Sequence, residues 1–203
     1  MTNQTIPNCS IDLKDFKVKS KKWAQDHQIL SNSIYKLNSQ NFLTVGSNPK
    51  LEKSGKILDI PTAGLCLLPT KEACPMRTNA CSRLCLFTSG NRVHMPNKLK
   101  CRSRRYNAYS NLMTRPIFLR RLVIEVLRFY RKNDSKDLMA FRANVVSDIA
   151  YETQPVTITD TDSLFILECF GINLNMGTYG SIYHALNSAY DYLKESFINQ
   201  RLK

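Results

Sequence analysis

The sequence predicts an α/β fold: a partial (β/α) barrel or a small open, mostly parallel sheet of βαβ units, behind a polar N-terminal extension. Three observations lead there. Strand-like apolar runs alternate with helical patterns, which implies right-handed parallel crossovers. A cysteine-bearing loop follows the end of one such run, where α/β folds place their chemistry. At 203 residues and 43% hydrophobic content the chain can bury a core without disulfides. Its three expected strand–helix units nevertheless fall well short of a closed eight-stranded barrel.

The elements follow in order. Residues 1–40 are polar and Lys-rich, an extension with a short helix expected over Ser20 to Tyr35. The α/β domain is expected over 41–203. NFLTVGSNPKLEKSGKILDIPTAG reads as strand, turn and strand, a hairpin. LCLLP (65–69) reads as a buried strand leading into the cysteine loop at 74–85. Basic helices follow at 96–132 in two pieces, the first opening at Pro96 and the second with Thr114 as N-cap and Pro116 in its first turn. Ile117, Leu119, Leu122, Val123, Val126, Leu127 and Tyr130 form the apolar face of the second piece. LMAFRANVV (138–146) is a strand ending at Ser147-Asp148, DSLFILECFG a helix, and INLNMGTYG (172–180) a third strand. SIYHALNSAYDYLKESFINQRL closes as a helix with Ser181 as its cap.

Charge and cysteine usage narrow the functional class. No acid lies between Glu72 and Glu125, whereas Arg77, Arg83, Arg92, Lys98, Lys100, Arg102, Arg104, Arg105, Arg115, Arg120 and Arg121 all do. Most of the +13 surplus therefore sits in a quarter of the chain. Such a field attracts phosphates, so a nucleic acid or nucleotide is the expected partner. A solvated basic face is the bland alternative. Within this stretch Arg92, Lys98, Lys100, Arg102, Arg104 and Arg105 are the candidate nucleic-acid contacts. MTNQTIPNCSIDLKDF lacks the basic-then-apolar pattern of a signal peptide, and no run approaches the ~18 apolar residues of a membrane span. A cytoplasmic protein with no membrane partner is expected.

Cys74-x6-Cys81-x3-Cys85 places three soft thiols on one loop, and the total of seven cysteines argues against a complete disulfide framework. Three thiolates suit a [4Fe–4S] cluster with its fourth iron open to substrate or cofactor. Zinc is the rival and wants a fourth ligand from Cys101, His94 or Cys66. Small buried cysteines packed as hydrophobes are the third alternative.

Several separated stretches taken together resemble a family. TVGSNPKLEKSGK, CPMRTNACSRLCLFTSGNR, RSRRYNAYSNLMTRPIFLRRLV and FRANVVSDIAYE occur in that order between Leu43 and Glu152. They resemble the gene product 88 family of phages and prophages, over slightly more than half the chain. The cysteine-loop arrangement is similar to radical-SAM-type barrels, although those use C-x3-C-x2-C. The resemblance implies Cys74, Cys81 and Cys85 as cluster ligands, with S-adenosylmethionine at the open iron. It implies Asn144, Ser147, Asp148 and Glu152, at the next strand end, as pocket residues of a radical-SAM-like enzyme. Two departures stand out. Asn144-Val-Val-Ser replaces the family's Asn-Gly-Thr-Ser, losing the close approach that glycine permits. The chain also stops after the third strand, where longer relatives continue, which reads as a C-terminally shortened member.

Other signals have simpler readings. TITDTDSLFI (157–166) resembles the metal motif of family B DNA polymerases, with Asp160 and Asp162 as paired carboxylates. Its simpler reading is a turn and helix N-cap with acids in the first turn. Phe118 and Tyr130 read as core. The expected function is thus a phage-encoded iron–sulfur α/β protein acting on or binding a phosphate-bearing partner. A non-enzymatic zinc-containing nucleic-acid-binding protein for phage replication or host takeover is the alternative.

Overall fold

The computed structural model describes residues 21–29, 34–35, 41–45, 51, 57, 59–85, 96–133 and 138–201. After a helical turn at 21–26, the elements run β1 (Leu43–Val45), β2 (Thr62–Leu65), α1 (Asn79–Arg83), α2 (Pro96–Ser110), α3 (Arg115–Lys132) and β3 (Ala140–Arg142). A 3-10 turn (Tyr151–Thr153), β4 (Val156–Ile158), α4 (Asp160–Phe170), β5 (Gly177–Tyr179) and α5 (Ile182–Arg201) follow.

The result is a mixed α/β structure with two small sheets among the described residues. In the three-stranded sheet β2 is central. It pairs antiparallel with β1 (Leu43 opposite Leu65) and parallel with β3 (Thr62 opposite Ala140, Gly64 opposite Arg142). The parallel pair is joined through α2 and α3, the long crossover that parallel pairing requires. The antiparallel β1–β2 pairing meets the hairpin expectation, although its strands are joined by a long connection and not a tight turn.

The expected third parallel strand is a correction. Of 172–180 only Gly177–Tyr179 is a strand, and it pairs antiparallel with β4 in a separate two-stranded sheet. Parallel pairing is therefore found in one ladder of three among the described residues. Antiparallel β4 and β5 span only α4 and its flanking turns, a connection that brings them back face to face without a crossover.

Helix α3 is the centre of the fold. Leu122, Val123, Ile124, Val126 and Leu127 are fully buried, because α2, α4, α5, β1 and β4 all pack on it. At roughly 1.5–3 kcal/mol per fully buried aliphatic side chain, these five account for on the order of 10 kcal/mol of burial, an upper figure. Phe118 and Tyr130 belong to this core, as expected, whereas Ile117 is 47% exposed. Thr114 precedes the helix and Pro116 occupies its first turn, but Thr114 Oγ1 donates to the Ala108 carbonyl (2.8 Å) instead of capping α3.

The Thr159–Asp162 stretch settles as a capping box, not a metal motif. Thr159 Oγ1 accepts from the Asp162 amide, and the Asp162 carboxylate accepts from the Thr159 amide (2.8 Å) and hydroxyl (2.7 Å). Arg120 of α3 grips the same carboxylate with Nε (2.8 Å) and Nη2 (2.9 Å), and Tyr35 donates to it from 2.7 Å. Burial works to raise the Asp162 pKa, but the bonds from Arg120, Thr159 and Tyr35 together hold it below the usual carboxylate value. Helix α4 ends at Gly171, whose φ of 66° is the left-handed cap that glycine adopts without strain. Trp23, Ala24 and Tyr35, from the segment expected to be a polar extension, are buried in this core.

Candidate metal and ligand site at the ends of β2 and β3

Strands β2 and β3 run parallel, so their C-terminal ends lie at one edge of the sheet. From β2 the chain enters the cysteine loop; from β3 it enters the 143–148 loop. Two contacts join the loops: the Asp148 amide donates to the Ala73 carbonyl (2.8 Å), and the Cys74 thiol to the Val146 carbonyl (3.6 Å). Strand β2 and the 143–148 loop also approach closely. A Cβ at Gly64 would lie 2.5 Å from Val145 Cγ2, so β2 supplies the glycine where the 143–148 loop carries valine. Val145 thereby packs with Leu51 and Cys66 in a small cluster of its own.

Between the loops lies a cavity of about 350 Å³. Cys74, Cys81 and Cys85 line it from one side, and Asn144, Ser147 and Asp148 from the other. Glu152 does not line it. It is exposed in the 3-10 turn, beside Tyr183.

The cysteine loop is shaped by threonines. Thr70 accepts from the Ala73 and Cys74 amides through its hydroxyl (3.1 Å) and carbonyl (3.0 Å), which turns Cys74 inward. Thr78 caps α1 by accepting from the Cys81 amide at 3.1 Å. Cys74 is buried, Cys85 half-buried and Cys81 exposed. Burial first, then the Asp148 carboxylate and the Cys85 and Cys81 thiols, push the Cys74 pKa above its ordinary value, against an opposing pull from Arg77. Lining one cavity is not yet convergence: among the described residues no three His, Cys, Asp or Glu side chains are gathered closely enough to hold a metal ion.

Asn144 and Ser147 are absorbed by their own loop. Asn144 donates to the Ile149 carbonyl (2.7 Å) and accepts from the Ser147 hydroxyl (2.9 Å) and the Ile149 amide (3.2 Å). They hold the loop that presents Asp148, whose side chain is exposed and has no hydrogen-bond partner among the described residues.

Two arginines that sequence reasoning did not place here complete the lining. Arg77 donates to the Pro69 carbonyl (3.4 Å), and Arg142 spends its Nε on the Asn144 carbonyl (3.0 Å). Arg77 had only the cysteine loop's basic character to mark it, and Arg142 sat unmarked inside an expected strand.

The basic stretch divides in two. Lys98, Lys100 and Arg104 are exposed on α2, and Arg102 is half-buried. Arg105 turns inward and donates to the carbonyls of Asn41 (2.6 Å) and Cys66 (3.3 Å); burial lowers its pKa. Arg115, Arg120 and Arg121 are likewise engaged, on the Tyr109 carbonyl, Asp162 and Glu125. Arg92 and His94 lie outside the described residues. Cys101, exposed on α2, and Cys66, buried with Leu51 and Val145, do not line the cavity.

The gene product 88 family profile matches residues 35–160. The chain belongs to the gene product 88 family. No curated protein and no solved structure matches it. The family span contains the whole cavity, from the cysteine loop to Asp148, and ends at the first residue of α4. Beyond that span α4 and α5 supply core to this family member. No helix among the described residues is long and apolar enough to cross a membrane.

Proposed function

We propose that this phage-family protein holds an iron–sulfur cluster on Cys74, Cys81 and Cys85 and acts on, or binds, a phosphate-bearing partner such as a nucleic acid or nucleotide in a host cytoplasm. One observation carries the reading: three thiols line a single cavity opposite the polar end of the neighbouring parallel strand. In this reading β2, the two crossover helices and β3 form part of a partial (β/α) barrel, with radical-SAM-like chemistry at its edge.

The donor set fits the group. Three soft thiols suit three irons of a cluster; of the candidates for a fourth zinc ligand, Cys101 and Cys66 do not line the cavity and His94 lies outside the described residues. Gathering the thiols asks for a local adjustment at α1, which carries Cys81 and buries none of its residues. When bound, such a cluster supplies an open iron for S-adenosylmethionine and the electron that its cleavage requires. The chain's own residues then have separate tasks. Asn144 and Ser147 fix the loop, Asp148 offers a carboxylate to a ligand donor, and the apolar Val145 cluster closes the floor.

The test is iron and acid-labile sulfide content of protein purified without oxygen. Cys74→Ser, Cys81→Ser and Cys85→Ser should each lose the cluster, while Cys101→Ser should keep it. A second reading, a non-enzymatic zinc protein that binds nucleic acid, draws support from Cys101 sharing exposed α2 with Lys98, Lys100 and Arg104. Zinc without iron, lost in Cys101→Ser together with stability, would decide for it, because structural metal binding is coupled to folding.

A further inference from the structure

We infer that the cavity beside the cysteines recognises an oxyanion, a phosphate group on a ligand about the size of one nucleotide, through Arg142 and Arg77. This rests on reading the cavity as the binding site, and it moves phosphate recognition from the α2 surface into the cavity itself.

The argument begins with unused donors. A guanidinium carries five N–H groups in a planar fork that matches an oxyanion bidentately. Arg120 shows what a satisfied arginine looks like in this protein, with two bonds to Asp162 and a third, at 3.3 Å, to Thr159. Arg142 is different: only its Nε is used, on the Asn144 carbonyl, so both terminal amino groups have no partner among the described residues. The Nε bond fixes the plane of the fork without consuming its end. Arg77 is similar, with one long bond from Nη1 to Pro69. Both line the cavity, Arg77 from the cysteine loop and Arg142 from the end of β3.

The lining gives the site its sign and its selectivity. Two guanidinium groups against the single carboxylate of Asp148 leave the cavity net positive before any metal is bound. Within a chain of net charge +13, the more highly charged phosphate is favoured over a carboxylate. A volume of about 350 Å³ falls in the ordinary range for small-ligand sites, too small for a duplex and sufficient for one nucleotide unit. Asp148 is then placed to accept from a sugar hydroxyl or base amine. A free nucleotide and the phosphorylated end of a strand carry the same chemistry.

The experiment uses the full chain, anaerobically purified, with isothermal titration of inorganic phosphate, adenosine monophosphate, and a short single strand with a 5′-phosphate or a 5′-hydroxyl end. The phosphorylated ligands should bind wild type, and Arg142→Gln should weaken them by about tenfold or more, with Arg142→Lys between. Arg77→Gln should weaken them less. A preference for the monophosphate identifies a free nucleotide, and a preference for the phosphorylated strand identifies a nucleic-acid end. Equal binding of the two strands by wild type together with no binding of phosphate or adenosine monophosphate, or wild-type affinity in a folded Arg142→Gln, overturns the inference. Iron content on the same samples separates the two claims. Missing iron with phosphate binding intact removes only the cluster, and normal iron without phosphate discrimination removes only this site.

Discussion

The Asp162 region and the cavity rim are built from the same residue types, and they differ in what those residues have left over. At Asp162 both carboxylate oxygens are filled by Arg120, Tyr35 and Thr159, and the carboxylate is fully buried. At the rim, Arg142 and Asp148 are exposed on a concave surface with bonding capacity unspent. A polar group consumed inside the protein is there for the fold; one left open in a cavity is available to a ligand. That contrast sorts the basic stretch better than charge alone, and it can be broken by mutation.

The largest effect is expected at Asp162. Asp162→Ala leaves the partly buried Arg120 without its partner and opens the α4 cap, and should cost about 3–5 kcal/mol in urea denaturation. A loss below ~1 kcal/mol would show that the network is dispensable. The pH dependence has a defined sign. Asp162 has a folded pKa below its unfolded value near 3.9, so it contributes stability above that pH and loses it as pH falls through the lower folded value. Asp162→Asn should flatten this acid limb of the stability profile.

Arg105 and Arg104, adjacent on α2, give the sharper test. Arg105→Ala removes charged bonds to two backbone carbonyls, Asn41 and Cys66, and should cost about 1.5–3 kcal/mol. Arg104→Ala, at an exposed position, should stay within about 0.5 kcal/mol. If nucleic acid binds α2, Arg104→Ala should also reduce the salt dependence of affinity by close to one phosphate's share. Equal stability losses for the pair would contradict the inward placement of Arg105.

Gly64→Ala should cost about 1–3 kcal/mol, since the added methyl would lie 2.5 Å from Val145 Cγ2 and something there must shift. Because Val145 shares its cluster with Cys66, that thiol should become more reactive toward alkylating reagents. Unchanged Cys66 labelling would mean that Val145 gives way alone.

How far the sequence could see follows from where the information lay. The helices were legible because capping and periodicity are local: Thr159 with Asp162, the α3 face and the closing helix after Ser181 need no distant partner. Strand β4 and its antiparallel pairing with β5 were not. VTI is three residues, too short for an alternation to register, GTY was legible only as part of a longer strand over 172–180, and their antiparallel pairing is fixed by register across α4. At the site, the cysteine spacing could be read directly, and the family resemblance pointed to the Asn-x-x-Ser-Asp loop. Arg105 could not be told from Arg104, because its direction is set by the carbonyls of Asn41 and Cys66, which lie 64 and 39 positions away.

Tyr151 tests whether an unspent polar group without a cavity behaves differently. Its ring is fully buried, edge-on to Tyr109 at 5.9 Å, and its hydroxyl has no partner among the described residues. Burial raises its pKa well above the ordinary tyrosine value, with Tyr109 and Tyr183 adding to the effect. Unlike Arg142, it does not line the cavity of the cysteine site. A hydroxyl that loses its water on folding and gains nothing in return is a cost, so Tyr151→Phe should raise stability by about 1 kcal/mol. It should leave iron content and phosphate binding unchanged. The measurement is the urea midpoint at constant slope, where a shift upward fits a hydroxyl buried without compensation. A clear loss of stability would place a hydrogen-bonding group beside Tyr151, and the rule that separates the two regions would then need buried solvent as a third category.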